Sequence, residues 1–318
     1  MTFSVLDVSI KSILLKKYSR NSYLYNINEI KRFCQRAAEK LPLSENVYAF
    51  SGCAAELFHK RNGLCVLDQT ALLPLDEIDL FKKTNLVEPS SSWLNYMNFL
   101  HERNLFEIDR SNTVLCLYPQ VEESVRKWRP NANTKIIMHP CDAPVQKRYM
   151  PHERLRFLFA GQKSIVKGIY LIEKWLNIST ESTKIDFVIC GPEGNYNVDG
   201  LRSRNGVQVL GRQNRDQLND LFKSADLCVF PEQQNALGNT AFEAMEHGTS
   251  VLARQNSLII DKKNGFTFGD DDNFYSVMNF LANQKPEYLF EVGTGALEIA
   301  TRRFNSFNAE IKNLLGSL

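Results

Sequence analysis

From Leu155 onward the chain repeats one pattern: a short, unbroken apolar run followed by a stretch of helical periodicity. The runs are Phe157-Leu158-Phe159-Ala160, Phe187-Val188-Ile189-Cys190, Leu227-Cys228-Val229-Phe230 and Ser250-Val251-Leu252-Ala253. A strand with water on one face alternates apolar and polar residues, whereas unbroken runs belong to strands covered on both faces, as in parallel sheets. Helices must then flank them. Ile169, Ile172 and Leu176 share one helical face, as do Leu218, Leu221 and Phe222. Phe274, Val277, Met278 and Leu281 mark a further helix, and Phe304, Phe307, Ile311 and Leu314 the last. The expected fold class is α/β, with a doubly wound parallel sheet in this half.

The first half follows the same plan less regularly. Strands are expected at Val47 to Phe50, Leu64 to Leu67, Thr113 to Leu117 and Lys135 to Met138. Ile27, Ile30, Cys34, Ala37 and Leu41 share a helical face, with Asn26 or Asn28 placed to cap its start and Pro42 to end it. Ser90 to Ser92 can cap a helix carrying Trp93, Met97 and Leu100. The proline-rich, aperiodic stretch from His139 to Glu153 reads as a connection. With 318 residues there is room for two domains, expected at 1–145 and 153–318. The C-terminal helix is expected to pack back on the first.

Composition excludes several classes of function. With 38 basic and 36 acidic side chains the net charge is +2, which carries no nucleic-acid signature. A basic start (Lys11, Lys16, Lys17, Arg20, Lys31, Arg32, Arg36, Lys40) allows peripheral contact with an anionic membrane, but reads more simply as a solvated face. Seven scattered cysteines without a C-x-x-C pair argue against a disulfide framework, and Cys65, Cys116, Cys190 and Cys228 sit in apolar runs as core residues. Five histidines never fall at H-x-x-x-H or H-E-x-x-H spacing, so no metal site is expected. Without a signal-like start or a long apolar run, the expected location is cytoplasmic, with the inner membrane surface as its peripheral variant.

A ligand on an open parallel sheet binds beyond the carboxyl ends of the strands. Two loops there stand out. Gly161-Gln162-Lys163-Ser164-Ile165-Val166-Lys167-Gly168 combines glycines that permit close backbone approach with two lysines, which suits a phosphate and equally a plain tight turn. Pro231 to Thr240 leads into a helix whose first residues, Leu237, Gly238, Asn239 and Thr240, could cradle a diphosphate on unpaired N–H groups. Glu243, one turn in, could accept two hydrogen bonds from a ribose diol, or simply complement the helix dipole.

Taken in order, the blocks Phe159-Ala160-Gly161 with Lys167-Gly168, Val188 to Gly194, Val207 to Gly211, Ala225 to Pro231, Glu243-Ala244-Met245-Glu246-His247-Gly248 and Asn264-Gly265 resemble one family. It is the C-terminal domain of GT-B retaining glycosyltransferases, family 4 type (glycosyl transferases group 1). The resemblance covers residues 155 to 283 and weakens through the first domain, where it rests on strand order and Ile137 to Asp142. It implies two Rossmann-like domains facing a cleft, a nucleotide-sugar donor, no further cofactor and no metal. Lys167 matches the lysine that stabilises the leaving diphosphate, Glu243 the ribose-holding glutamate of E-x7-E, and Gly238 with its neighbours the phosphate-binding helix start.

This chain departs from the pattern at three places. Asn235 stands where the first glutamate of E-x7-E falls, Gln162 replaces the usual arginine with Lys163 beside it as a substitute cation, and Gly52 is the first glycine, so the first domain reads as shortened. In the family, a histidine or acid after an early strand faces the reacting sugar; Asp68 is the matching candidate, and it reads equally as a turn cap. His247 reads as a cation suited to a helix C-terminus.

The expected activity is retaining transfer of a sugar from a nucleotide-diphosphate donor to an acceptor hydroxyl on a glycan or lipid-linked glycan. The alternative is a non-catalytic or partner-dependent binder of nucleotide or sugar, with a partner subunit completing the first domain. A Rossmann dehydrogenase is disfavoured, since no G-x-G-x-x-G follows a strand.

Overall fold

A computed structural model describes the chain apart from residues 1–22, 84, 85, 87, 138–141, 146–148, 150–152, 234–236, 257 and 318, and apart from a few side chains in the first and last helices. The chain divides into two units, residues 1–138 with 310–318 and residues 139–309.

The first unit contains α1 (Tyr23–Lys40), β1 (Val47–Phe50), α2 (Ala55–Phe58), β2 (Cys65–Gln69), α3 (Pro74–Lys83), α4 (Ser91–Arg110), β3 (Thr113–Cys116), α5 (Pro119–Trp128) and β4 (Thr134–Ile136). Its four described strands are all parallel and lie in sequence order. Ser90 caps α4 as expected, its hydroxyl accepting the Trp93 N–H at 3.3 Å. The α1 cap differs from expectation, because the helix already runs at Tyr23 and Asn26 and Asn28 lie inside it.

A buried polar knot sets the turn after β1. The Glu107 carboxylate, fully enclosed on α4, accepts N–H bonds from Gly52 (2.6 Å), Ala54 (2.9 Å) and Ala55 (3.0 Å), and so caps the short helix α2 from outside. Arg103, one turn earlier, donates to the Gly52 carbonyl at 2.7 Å and pairs with Glu56. Burial of Glu107 pushes its carboxyl pKa up, and the three N–H bonds with Arg103 oppose that shift.

The second unit holds β5 (Leu155–Ala160), α6 (Ile169–Ile178), a 3₁₀ turn (Thr180–Lys184), β6 (Ile185–Cys190), α7 (Asp199–Arg202), β7 (Val207–Val209), α8 (Arg215–Ser224), β8 (Leu227–Phe230), α9 (Asn239–Glu246), β9 (Ser250–Arg254), β10 (Phe266–Phe268), α10 (Asp271–Ala282) and most of α11 (Pro286–Ser317). Its six parallel strands lie in the order β10-β9-β8-β5-β6-β7. The chain lays β5, β6 and β7 outward on one side, then returns to the centre and lays β8, β9 and β10 on the other. Right-handed crossovers in opposite directions put helices on both faces, which is why Phe157, Phe159, Ile189, Cys228, Val229 and Val251 are all buried. The order reverses between β5 and β8, the kind of place beyond which an open parallel sheet binds its ligand.

The last helix buries Leu289, Val292, Ala296 and Ala300 ahead of the expected stripe, in which Phe304 is exposed, Phe307 is half-buried, and the side chains of Ile311 and Leu314 lie outside the described residues. Small residues let it lie close: a Cβ on Gly293 would stand 2.3 Å from the Gly248 carbonyl oxygen, and one on Gly295 2.0 Å from that of Lys263.

Candidate functional site

The loops after β5 and β8 are joined by the backbone itself. Gly168, the N-cap of α6, has φ +71°, and a Cβ there would lie 1.9 Å from the Pro231 carbonyl oxygen. Only glycine allows that turn and that approach. Beside it the Gln233 N–H donates to the Val166 carbonyl at 3.0 Å. These contacts bring Lys167 of one loop to Glu232 of the other, Nζ to Oε1 at 2.8 Å. Arg254, at the end of β9, holds the Glu232 carbonyl at 3.1 Å and Asp271 at 2.8 Å.

The start of α9 stands next to this pair. Its N-cap is Gly238, among the described residues no side chain caps it, and its first turn carries no acid. By contrast α8 begins with a complete capping box from Asn214 and Gln217, and α10 with Asp270 accepting from Asn273. A helix start left uncapped offers its first N–H groups and the positive end of its dipole to an anion. Leu237 is buried and pins the approach to the helix; Asn239 is exposed and Thr240 half-buried. Glu232 leans over this start, its Oε1 3.2 Å from where a Gly238 Cβ would be. A cation, a carboxylate and an uncapped helix start thus share one edge of the sheet at the strand-order reversal.

Glu243 sits one turn into α9 and is partly exposed. Its Oε1 accepts from Arg215 Nη1 at 2.7 Å, and the other face of the same guanidinium pairs with Asp142. The Asp142 N–H in turn donates to Glu246 Oε1 at 2.8 Å, and the Val145 N–H to the Glu246 carbonyl at 2.8 Å. Glu246 is buried, and burial raises its carboxyl pKa to about 7. His247 is buried too, with Nδ1 2.8 Å from the Glu243 carbonyl, and burial lowers its pKa. The expectation of a cationic histidine at the helix end is therefore corrected: desolvation favours the neutral ring.

The sequence-derived candidates divide. Gly161, Lys167, Leu237, Gly238, Asn239, Thr240 and Glu243 fall on the loops and helix just described. Gln162 is exposed at the rim, its amide 3.5 Å from the Glu193 carbonyl. Lys163 does not supply a free cation: it is fully buried, with Nζ donating to the Gly191 carbonyl (2.6 Å) and pairing with Glu193 (3.1 Å). Asp68 does not follow a strand. It lies within β2, buried, with its Oδ2 accepting from the Tyr48 hydroxyl. Asn235 lies outside the described residues. Arg215 and Asp142 were missed by the sequence reading, since the partners of Arg215 lie 28 and 73 residues away and no local pattern marks them, while Glu232 is near the first position of E-x7-E but at the wrong spacing.

Among the described residues no group of His, Cys, Asp and Glu is arranged to hold a metal ion, and no helix is long and apolar enough to cross a membrane. Residues 154–284 match the family model described as "Glycosyl transferases group 1". The uncharacterised glycosyltransferase MJ1607 of Methanocaldococcus jannaschii is 37% identical over 100 residues, which cover 30% of this chain and 26% of that protein, so the match spans about a quarter of the relative's length. Among solved structures, sucrose-phosphate synthase from Thermosynechococcus elongatus superposes with a TM-score of 0.73 at 15% identity, covering 94% of this chain and 80% of that one. TarM of S. aureus, solved in complex with fondaparinux, alpha-GlcNAc-glycerol and UDP, gives 0.69 at 15% identity over 89% of this chain and 57% of its own. The match to glycosyl transferases group 1 thus lies wholly within the second unit, and the chain has the two Rossmann-like domains of the GT-B fold.

Proposed function

We propose that the protein is a retaining glycosyltransferase that moves a sugar from a nucleotide-diphosphate donor to an acceptor hydroxyl, on a glycan or a lipid-linked glycan, without a metal. One observation carries the reading: Lys167, the uncapped start of α9 and Glu243 stand on adjoining segments at the strand-order reversal of the second sheet. Gly238, Asn239 and Thr240 would offer backbone N–H groups to the diphosphate, and Lys167 would stabilise the charge that grows on it as the glycosidic bond breaks. Glu243 would accept from the ribose diol. Asp68 has no part in the proposal, because its carboxylate is engaged inside the first unit.

A second reading, a binder without turnover, draws support from Glu232, whose carboxylate already occupies Lys167. A panel of UDP, GDP, ADP and CMP sugars separates the two. The enzyme reading requires a donor that raises the unfolding temperature and is also transferred or hydrolysed; stabilisation without turnover favours the binder, and no stabilisation by any donor rejects both.

A further inference from the structure

The donor reading needs Glu243 to present acceptor lone pairs in a fixed direction, and a free glutamate has three side-chain torsions to lose. We propose that Arg215 is the positioning residue that fixes Glu243, itself held for that work by Asp142; the inference rests on the donor reading above.

Arg215 is the first residue of α8, where the Asn214–Gln217 capping box locks the backbone. Its Nη1 takes Glu243 Oε1 and leaves Oε2 without a hydrogen bond among the described residues. Its Nη2 is anchored on Asp142, and Asp142 is tied back to α9 through Glu246 Oε1. The contacts close a ring: α8 to Asp142, Asp142 to the last turn of α9, and the middle of α9 back to α8 through Glu243. A guanidinium forked between two carboxylates cannot swing away from one without losing the other, so the ring turns a partly exposed ion pair into an oriented one. It also supplies the one cation facing three acids, Asp142, Glu243 and Glu246, among the described residues of this cluster. Arg215 acts on a ligand through Glu243, and its loss should be felt at the ribose and nowhere else.

That localisation gives the test. The ribonucleoside diphosphate that binds most tightly among those of uracil, guanine, adenine and cytosine is titrated by calorimetry against its 2′,3′-dideoxy counterpart. The wild type should prefer the ribo form at least tenfold, and Glu243→Gln should abolish most of that preference. Arg215→Gln should cut the preference at least threefold by weakening the ribo form alone, with the dideoxy affinity constant within twofold. Asp142→Asn should move it the same way by less, and it carries the test should Arg215→Gln fail to fold. Equal weakening of both forms would assign Arg215 to phosphate binding or to mere stability and overturn the inference. So would a preference lost in Glu243→Gln yet intact in both Arg215→Gln and Asp142→Asn, with the donor reading left standing. A wild type that binds neither form, or binds both alike with no change in Glu243→Gln, overturns the donor reading and this inference with it.

Discussion

Glu232 Oε1 lies 2.8 Å from Lys167 Nζ and 3.2 Å from the Cβ position of Gly238, so a single carboxylate links the loop cation to the bare start of α9. It stands where the proposed diphosphate would have to enter. Glu232→Gln should therefore tighten nucleoside diphosphate binding, because a competing negative charge is removed while an amide can still reach Lys167. A partly exposed pair of this kind is worth about 0.5 to 1 kcal/mol, so the gain should be roughly two- to fivefold in Kd. Calorimetric titration of both proteins measures it. A tenfold loss would instead make Glu232 a ligand contact.

Lys167→Ala removes the cation without disturbing the buried core, since the side chain is partly exposed and its backbone is set by Gly168 and Val166. Stability should change by less than about 1 kcal/mol. Turnover should fall by roughly two to three decades, the equivalent of about 3 to 4 kcal/mol of transition-state charge stabilisation. Steady-state kinetics with the best donor of the panel decides it, and near-wild-type kcat in a folded variant removes Lys167 from the proposed chemistry.

Gly168→Ala tests the junction of the two loops. Its φ of +71° disfavours any side chain, and the added Cβ would fall 1.9 Å from the Pro231 carbonyl oxygen. Strain in the left-handed region costs about 1 kcal/mol and the backbone clash more, so a loss of roughly 2 to 4 kcal/mol is expected. Urea unfolding should show a lower midpoint, with nucleotide binding weakened in parallel because Lys167 moves away from α9. An unchanged midpoint would mean that the two loops separate freely.

The second sheet was legible because four of its strands are buried on both faces and so appear as unbroken apolar runs. β7 and β10 are three-residue edge strands, and no such run marks them. Strand order lies in crossover geometry, which no local pattern encodes. The two lysines of one loop show how direction escapes a sequence: Lys163 turns inward because the Gly191 carbonyl waits across the sheet, while Lys167 four residues later turns outward. Asp68 was placed after a strand because the apolar run stops at Leu67, yet the ladder continues to Gln69 opposite Cys116, and Tyr48 satisfies the buried acid. The buried start of α11 escaped notice for a similar reason, since Ala296 and Ala300 carry little weight in a hydrophobic pattern although small side chains are what close packing requires.

Glu246 should make the second unit lose stability as pH rises from about 4.5 to about 7. Its carboxyl ordinarily titrates at 4.5, and in the folded protein burial, helped by the charges of Asp142 and Glu243 and opposed by Arg215 and the Asp142 N–H, raises that to about 7. Between these values the folded state holds a proton that the unfolded chain has released, so the contribution to stability is complete below 4.5, declines as pH rises and is gone above about 7. The decline from this group is about 1 to 3 kcal/mol. Glu246→Gln mimics the protonated acid, since its amide oxygen can still accept the Asp142 N–H that reaches Oε1 at 2.8 Å. At pH 4 the variant should match the wild type closely; above about 4.5 it should become the more stable of the two, with the gap levelling off near the folded pKa of about 7. Thermal unfolding across that range measures the difference. A gap between the two proteins that stays constant with pH would show that Glu246 keeps its charge at neutral pH, with solvent or Arg215 supplying what burial takes away.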